Sequence, residues 1–112
     1  MAYTLKKNEI LKKGDFRGIR WAKQGETAHF LLLGNRNLHP IKRIAIGVRK
    51  KTGCAVMRNR MKRLIKEFFR LHKNLFADYH DSLIKVKNIP QRIQWEDTKK
   101  ELRQLLLNVK TR

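Results

Sequence analysis

Arg49, Lys50, Lys51, Arg58, Arg60, Lys62, Arg63 and Lys66 stand within residues 48–67, and Glu67 is the one acid between Lys50 and Lys73. Guanidinium and ammonium groups at that density do one kind of chemistry well, charge-assisted hydrogen bonding to phosphate. Each phosphate they neutralise releases condensed counterions, so affinity should fall steeply with salt. A merely solvated helix face would mix Glu or Asp among its lysines. The asymmetry therefore points to a polyphosphate partner, with nucleic acid the first candidate.

Catalysis by the chain's own side chains finds less support. His29, His39, His72 and His80 are scattered, and with the single Cys54 they lack the ligand spacing of a zinc site. Asp78 with Asp81, and Glu96 with Asp97, fall around a loop and in a helix first turn, where capping and charge balance account for them. A nuclease holding two metal ions itself needs several converging carboxylates, and only 9 acids are present. Cys54 adjoins a basic segment that could lower its pKa, but no His lies near it in sequence. It reads as a small residue at a helix start.

The whole chain carries the same bias. A formal charge of +19 over 112 residues would cost a compact fold considerable self-repulsion without an anionic partner. With 41% hydrophobic residues the chain can bury one modest core, so a single domain is expected. No apolar run approaches the roughly 20 residues that span a bilayer, and the N-terminus lacks a signal-peptide core. A cytoplasmic protein without a membrane partner is expected, and one cysteine excludes an internal disulfide.

These cations need elements to position them. Residues 55–76 form the strongest helix: at about 100° per residue, Met57, Met61, Leu64, Ile65, Phe68, Leu71 and Leu75 share one arc. Arg58, Lys62, Lys66, Arg70 and Lys73 fall on the opposite arc, with Asn59 and Arg63 at its edge. Arg60 lies apart beside the apolar edge, since residues two apart do not share a helix face, so Arg58 and Arg60 can grip two separate phosphates. A second helix carries Trp95, Thr98, Leu102, Leu105, Leu106 and Val109, with Glu96 and Asp97 in the first turn and Lys110 and Arg112 near the other end. A short helix over 13–23 is expected too, weakened by Gly14 and Gly18 and ended by Gly25.

Strands are expected at 28–34, 41–49 and 81–87, the last interrupted by Lys85, with residues 35–40 as a loop. Along 41–49, Ile44, Ile46 and Val48 form a branched face and Ala45, Gly47 and Arg49 the other. The small face either leaves backbone open to another molecule or fits a close-packed element. The order helix, strand, strand, helix, strand, helix gives an α+β class.

Residues 50–65, KKTGCAVMRNRMKRLI, resemble the signature of the protein subunit of bacterial ribonuclease P, with its Arg-Asn-Arg motif. Leu11, Asp15 and Phe16 resemble that family's first helix, Phe30 its first long strand, 81–87 its last strand and 96–106 its final helix. Arg49 and Cys54 stand where a serine and an asparagine are common, and Arg20 or Trp21 falls near a second aromatic of the first helix. The resemblance implies one domain over 1–112, an α/β sandwich whose mixed, roughly four-stranded sheet is packed by helices, ribosomal protein S5 domain 2-like. It also implies a left-handed βαβ crossover through the motif helix, against the general right-handed rule.

The function implied is the non-catalytic protein subunit of an endoribonuclease. The family's RNA subunit removes the 5′ leader from precursor tRNA using Mg2+, and the protein binds no metal tightly. Lys50, Lys51, Arg58, Asn59, Arg60, Lys62, Arg63 and Lys66 would then contact the RNA subunit. Phe16, Trp21, Phe30 and Lys87 would line a cleft for the leader, where unpaired bases stack beside cations; Phe16 and Phe30 are equally well read as core residues. A structural RNA-binding protein would share the basic helix but need no cleft. A DNA-binding module would need a helix pair with a short turn, which the pattern does not offer.

Overall fold

Alternating strands and two amphipathic helices account for the architecture. The computed structural model describes residues 10–11, 19–37, 42–76 and 80–107. Its elements are β1 (Ala22–Glu26), β2 (Phe30–Arg36), β3 (Arg43–Val48), a 3₁₀ turn (Lys50–Thr52), α1 (Ala55–Leu71), a second 3₁₀ turn (Lys73–Leu75), β4 (His80–Val86) and α2 (Trp95–Leu107). The sheet order is β1-β2-β4-β3, antiparallel except for the β3–β4 pair. Parallel neighbours need a crossover, and α1 supplies it. This is the mixed four-stranded sheet expected of the α+β class.

One sheet face is covered by helices. Phe30, Leu32, Ile44, Ile84 and Val86 point into a core with Met61, Ile65, Phe68 and Phe69 of α1 and Leu102, Leu105 and Leu106 of α2. Burying side chains of this size contributes roughly 1.5–3 kcal/mol each, which holds the strongly charged chain together. The stripe that α1 buries is rotated from the expected arc: Phe69 is fully buried, its ring 4.7 Å from that of Phe76, while Leu71 is 48% exposed.

The other face divides into three rows set by register. At one end Arg43 pairs with Asp81, and Asp81 with Asn35. Asp81 is fully buried there, taking 2.7 and 2.8 Å bonds from the Arg43 guanidinium and 2.7 Å from Asn37 Nδ2. In the middle, Leu33, Leu83 and Ala45 line up, covered by Leu11 and packed by Trp21. The backbone N–H of Leu11 donates to the Ile44 carbonyl at 2.8 Å, tying that cover to β3. In the third row stand Leu31, Lys85 and Gly47.

Three expectations need correction. The helix placed at 13–23 ends in residues that do otherwise: Ala22 and Lys23 begin β1, whose register shifts between Lys23 and Gly25 against β2, and residues 13–18 lie outside the described residues. A short polar segment becomes a strand there because β2 offers it a free edge. The strand expected at 28–34 is β2, two residues later, which takes residues 35 and 36 from the expected loop. The helix expected to 76 ends at Leu71, and the chain continues through the second 3₁₀ turn.

Candidate nucleic-acid interface

Ion pairs sort the cations of the described residues into two groups. Lys23 and Lys87 share Glu26, Arg43 holds Asp81, Arg70 holds Glu67, and His29 meets Glu101. Among the described residues, none of Arg49, Lys50, Lys51, Arg58, Arg60, Lys62, Arg63 and Lys66 has a carboxylate within ion-pair distance. Among the described residues, Glu26, Asp81 and Glu101 serve the sheet and the hairpin, and Glu67 serves Arg70 within α1. The unpaired positive charge is concentrated between the end of β3 and the middle of α1.

Local structure aims that charge. After Val48 the chain turns through Lys50–Thr52, where the Thr52 N–H and hydroxyl both donate to the Arg49 carbonyl. The first turn of α1 has no acid, and Cys54 at its start makes no side-chain cap. The partial positive charge of the helix N-terminus thus adds to the side chains instead of being offset. Arg58 Nε donates to the Gly53 carbonyl at 3.0 Å, which fixes the guanidinium beside that entry. Arg60 turns the other way, its Nη2 3.4 Å from the Ile93 carbonyl ahead of α2. The divergence expected for this pair is present.

Beside this surface, the third row of the sheet opens into a cavity of about 580 Å³. Leu31, Gly47, Val48 and Val86 give it an apolar floor, and Arg49, Lys51, Lys85 and Lys87 give it a cationic rim. A side-chain Cβ at Gly47 would meet only Lys85 Cγ at 3.6 Å and Leu83 Cδ1 at 4.0 Å, ordinary contact distances. The glycine is therefore not demanded by packing; it keeps the floor low. At the rim, Lys87 Nζ lies 2.5 Å from Glu26 Oε2 and 2.8 Å from the Thr27 carbonyl. Hydrogen bonds from Lys23 and then Lys87 hold the Glu26 carboxyl down to about 2. An apolar floor with a cationic rim suits a flexible single strand, whose bases and phosphates need those two surfaces together.

Comparison with known proteins agrees with this chemistry. A family model described as Ribonuclease P matches residues 5–110. The chain is similar to the ribonuclease P protein component of Syntrophus aciditrophicus (strain SB), 40% identical over 105 residues that cover 92% of this chain and 88% of that one. It is 36% identical over 102 residues to the component of Geotalea uraniireducens (strain Rf4), covering 90% and 89%. A solved mutant of the Staphylococcus aureus RNase P protein, 27% identical, matches with a TM-score of 0.79 over 90% of this chain and 87% of that one.

The chain belongs to the ribonuclease P protein family. It is thus the protein subunit of an endoribonuclease, assisting an RNA subunit in the processing of tRNA 5′ ends. Within this family setting, the residues expected at the RNA interface fall as follows. Lys50, Lys51, Asn59, Arg60, Arg63 and Lys66 are exposed, and Arg58 and Lys62 are half-buried, along the turn and α1. They form one continuous surface except for Arg60.

The leader-binding set is less coherent. Lys87 lines the cleft, and Trp21 is half-buried over the neighbouring middle row. Phe16 lies outside the described residues. Phe30 is a correction: it is 1% exposed and sits in the helix-covered core, so its ring is unavailable for stacking on the open face. The residue beside it, Leu31, occupies the cleft instead. Sequence reasoning assigned no role to Leu31, Lys85 or Thr52, and gave Arg49 a share in phosphate binding but no place in the cleft. Lys85 carried a usable signal, because a lysine interrupting an apolar strand marks the face that is not buried.

Proposed function

We propose that the turn and outer flank of α1 bind the RNA subunit of ribonuclease P while the open cleft holds the 5′ leader of precursor tRNA. The observation that carries this reading is the run of cations at 49–66 that, among the described residues, has no carboxylate partner, directly beside an apolar-floored cleft. Lys50, Lys51, Arg58, Lys62, Arg63 and Lys66 supply phosphate contacts without having to release an internal carboxylate. Arg49, Lys51 and Lys85 flank a leader strand lying over Leu31 and Gly47. Cleavage belongs to the RNA in this reading, and Mg2+ is the RNA's cofactor. Of the described carboxylates, Glu26, Glu67, Asp81 and Glu101 are engaged by donors within the chain, and Glu96 and Asp97 stand exposed in the first turn of α2. The protein acts by raising affinity and orienting two RNAs, and the setting is the cytoplasm.

Reconstitution tests the proposal. The folded protein, mixed with a bacterial ribonuclease P RNA at low magnesium, should accelerate leader release from precursor tRNA. An unchanged rate with a folded protein rejects it.

A further inference from the structure

The α1–α2 side of the molecule carries a second set of cations that the cleft and the outer flank of α1 do not use. In α2, Trp95, Lys99 and Arg103 follow at i, i+4 and i+8, so they share one flank beside the buried stripe. Asp97 and Glu101 occupy the other flank. Glu101 is drawn to the β1–β2 turn, accepting from Thr27 Oγ1 at 2.6 Å and from the His29 N–H at 2.8 Å, with His29 Nδ1 at 2.7 Å. That anchoring directs the acidic flank to the hairpin and the Trp95 flank toward α1.

Several observations meet on the Trp95 flank. Lys99 Nζ stands 5.9 Å from the centroid of the half-buried Trp95 ring. Arg60, exposed on α1, is turned to this side by its contact with the Ile93 carbonyl. Burial, and then the fields of Arg103 and Lys99, push the His72 imidazole below its usual range. Among the described residues no carboxylate lies within ion-pair distance of Arg60, Lys99 or Arg103. Glu96, exposed in the first turn, has no ion pair with Lys99, Lys100 or Arg103 of its helix.

We propose that Arg60, Trp95, Lys99 and Arg103 form a second docking surface for the RNA subunit, separate from the outer flank of α1. Unpaired cations around an indole edge fit a ribose-phosphate backbone with a base or sugar against the ring. The RNA subunit is the occupant because this surface lies on the helix side of the sheet, while the cleft opens on the opposite side. A leader strand seated in the cleft is separated from it by the sheet. An RNA already engaged by Arg58 and Lys62 meets it across the same helix. The inference rests on the reading of α1 as a dock for the RNA subunit and extends it around the helix.

The test uses the reconstituted holoenzyme. Lys99→Gln with Arg103→Gln should weaken binding to the RNA subunit and make the slope of log affinity against log salt shallower by about 1.8, at about 0.9 per lost phosphate contact. Hydroxyl-radical footprinting should show one RNA segment newly exposed while the segment protected through Arg58 and Lys62 stays protected. Lys99→Arg with Arg103→Lys keeps both charges and should restore affinity and slope, which a purely structural role would not require. An unchanged slope and footprint in the Gln variant overturns the second surface, as does protection moving on precursor tRNA only. If Arg58→Ala with Lys62→Ala also leaves the RNA subunit's affinity intact, the reading of α1 itself fails, and the two failures are thereby told apart.

Discussion

The two ends of the open sheet face are built from the same three strands, yet they treat positive charge in opposite ways. At the Asp81 end, Arg43 meets a fully buried carboxylate in a two-bond fork that locks the parallel pair β3–β4. At the Gly47 end, four residues along the strands in the same register, Lys85, Arg49 and Lys51 surround a cavity, and among the described residues none of them is paired with an acid. A cation answered inside the chain is structural; one left unanswered is available to a partner. The difference comes from where the few acids stand, since both ends have comparable backbone.

The contrast can be broken at its structural end first. Asp81→Ala leaves the Arg43 guanidinium without its carboxylate and should destabilise the fold by about 3–5 kcal/mol, measured by denaturant unfolding. A loss below about 1 kcal/mol would mean that the fork does not hold the sheet. At the other end, Arg58→Ala with Lys62→Ala should lower affinity for the RNA subunit by roughly tenfold and flatten its salt dependence. Both side chains are half-buried and Arg58 donates to the Gly53 carbonyl, so unfolding free energy should fall by no more than about 1.5 kcal/mol. Gly47→Val raises the floor of the cleft and should weaken binding of precursor tRNA several-fold while leaving mature tRNA unaffected. Equal losses for both would remove the leader from the cleft.

The smallest effect sharpens the comparison at the hairpin. Glu101 has its carboxyl below the usual range of 4.5: burial opposes this, but hydrogen bonds from Thr27 and His29 outweigh it. Its contribution is present above the unfolded value and is lost as pH falls through the folded one. Glu101→Gln should therefore cost about 1 kcal/mol at neutral pH and make stability less sensitive to acid below pH 4.5, read from thermal midpoints across a pH series.

Periodicity made α1, α2, β3 and β4 legible, because each carries a clear apolar pattern over enough residues. The cationic surface was legible too, since charge asymmetry survives any small error in helix phase. β1 was not, for residues 22–26 have no alternation and become a strand only through the edge that β2 presents. Phe30 failed for a related reason. Residues 30–33 are apolar without a break, so a period of two has nothing to distinguish their faces. Only pairing with β4, where Lys85 stands opposite Leu31, decides which side each ring or branch takes.

α1 lies in the crossover between the two parallel strands β3 and β4, and the same helix presents unpaired cations. A polyanion that binds the folded surface of α1 and not the unfolded chain draws the folding equilibrium toward the native state. A binder at a hundredfold excess over its dissociation constant adds about 2.7 kcal/mol to the native state. On the proposed docking of the RNA subunit at α1, that RNA would also be a folding ligand of its protein, and the unbound chain the less stable form of the two.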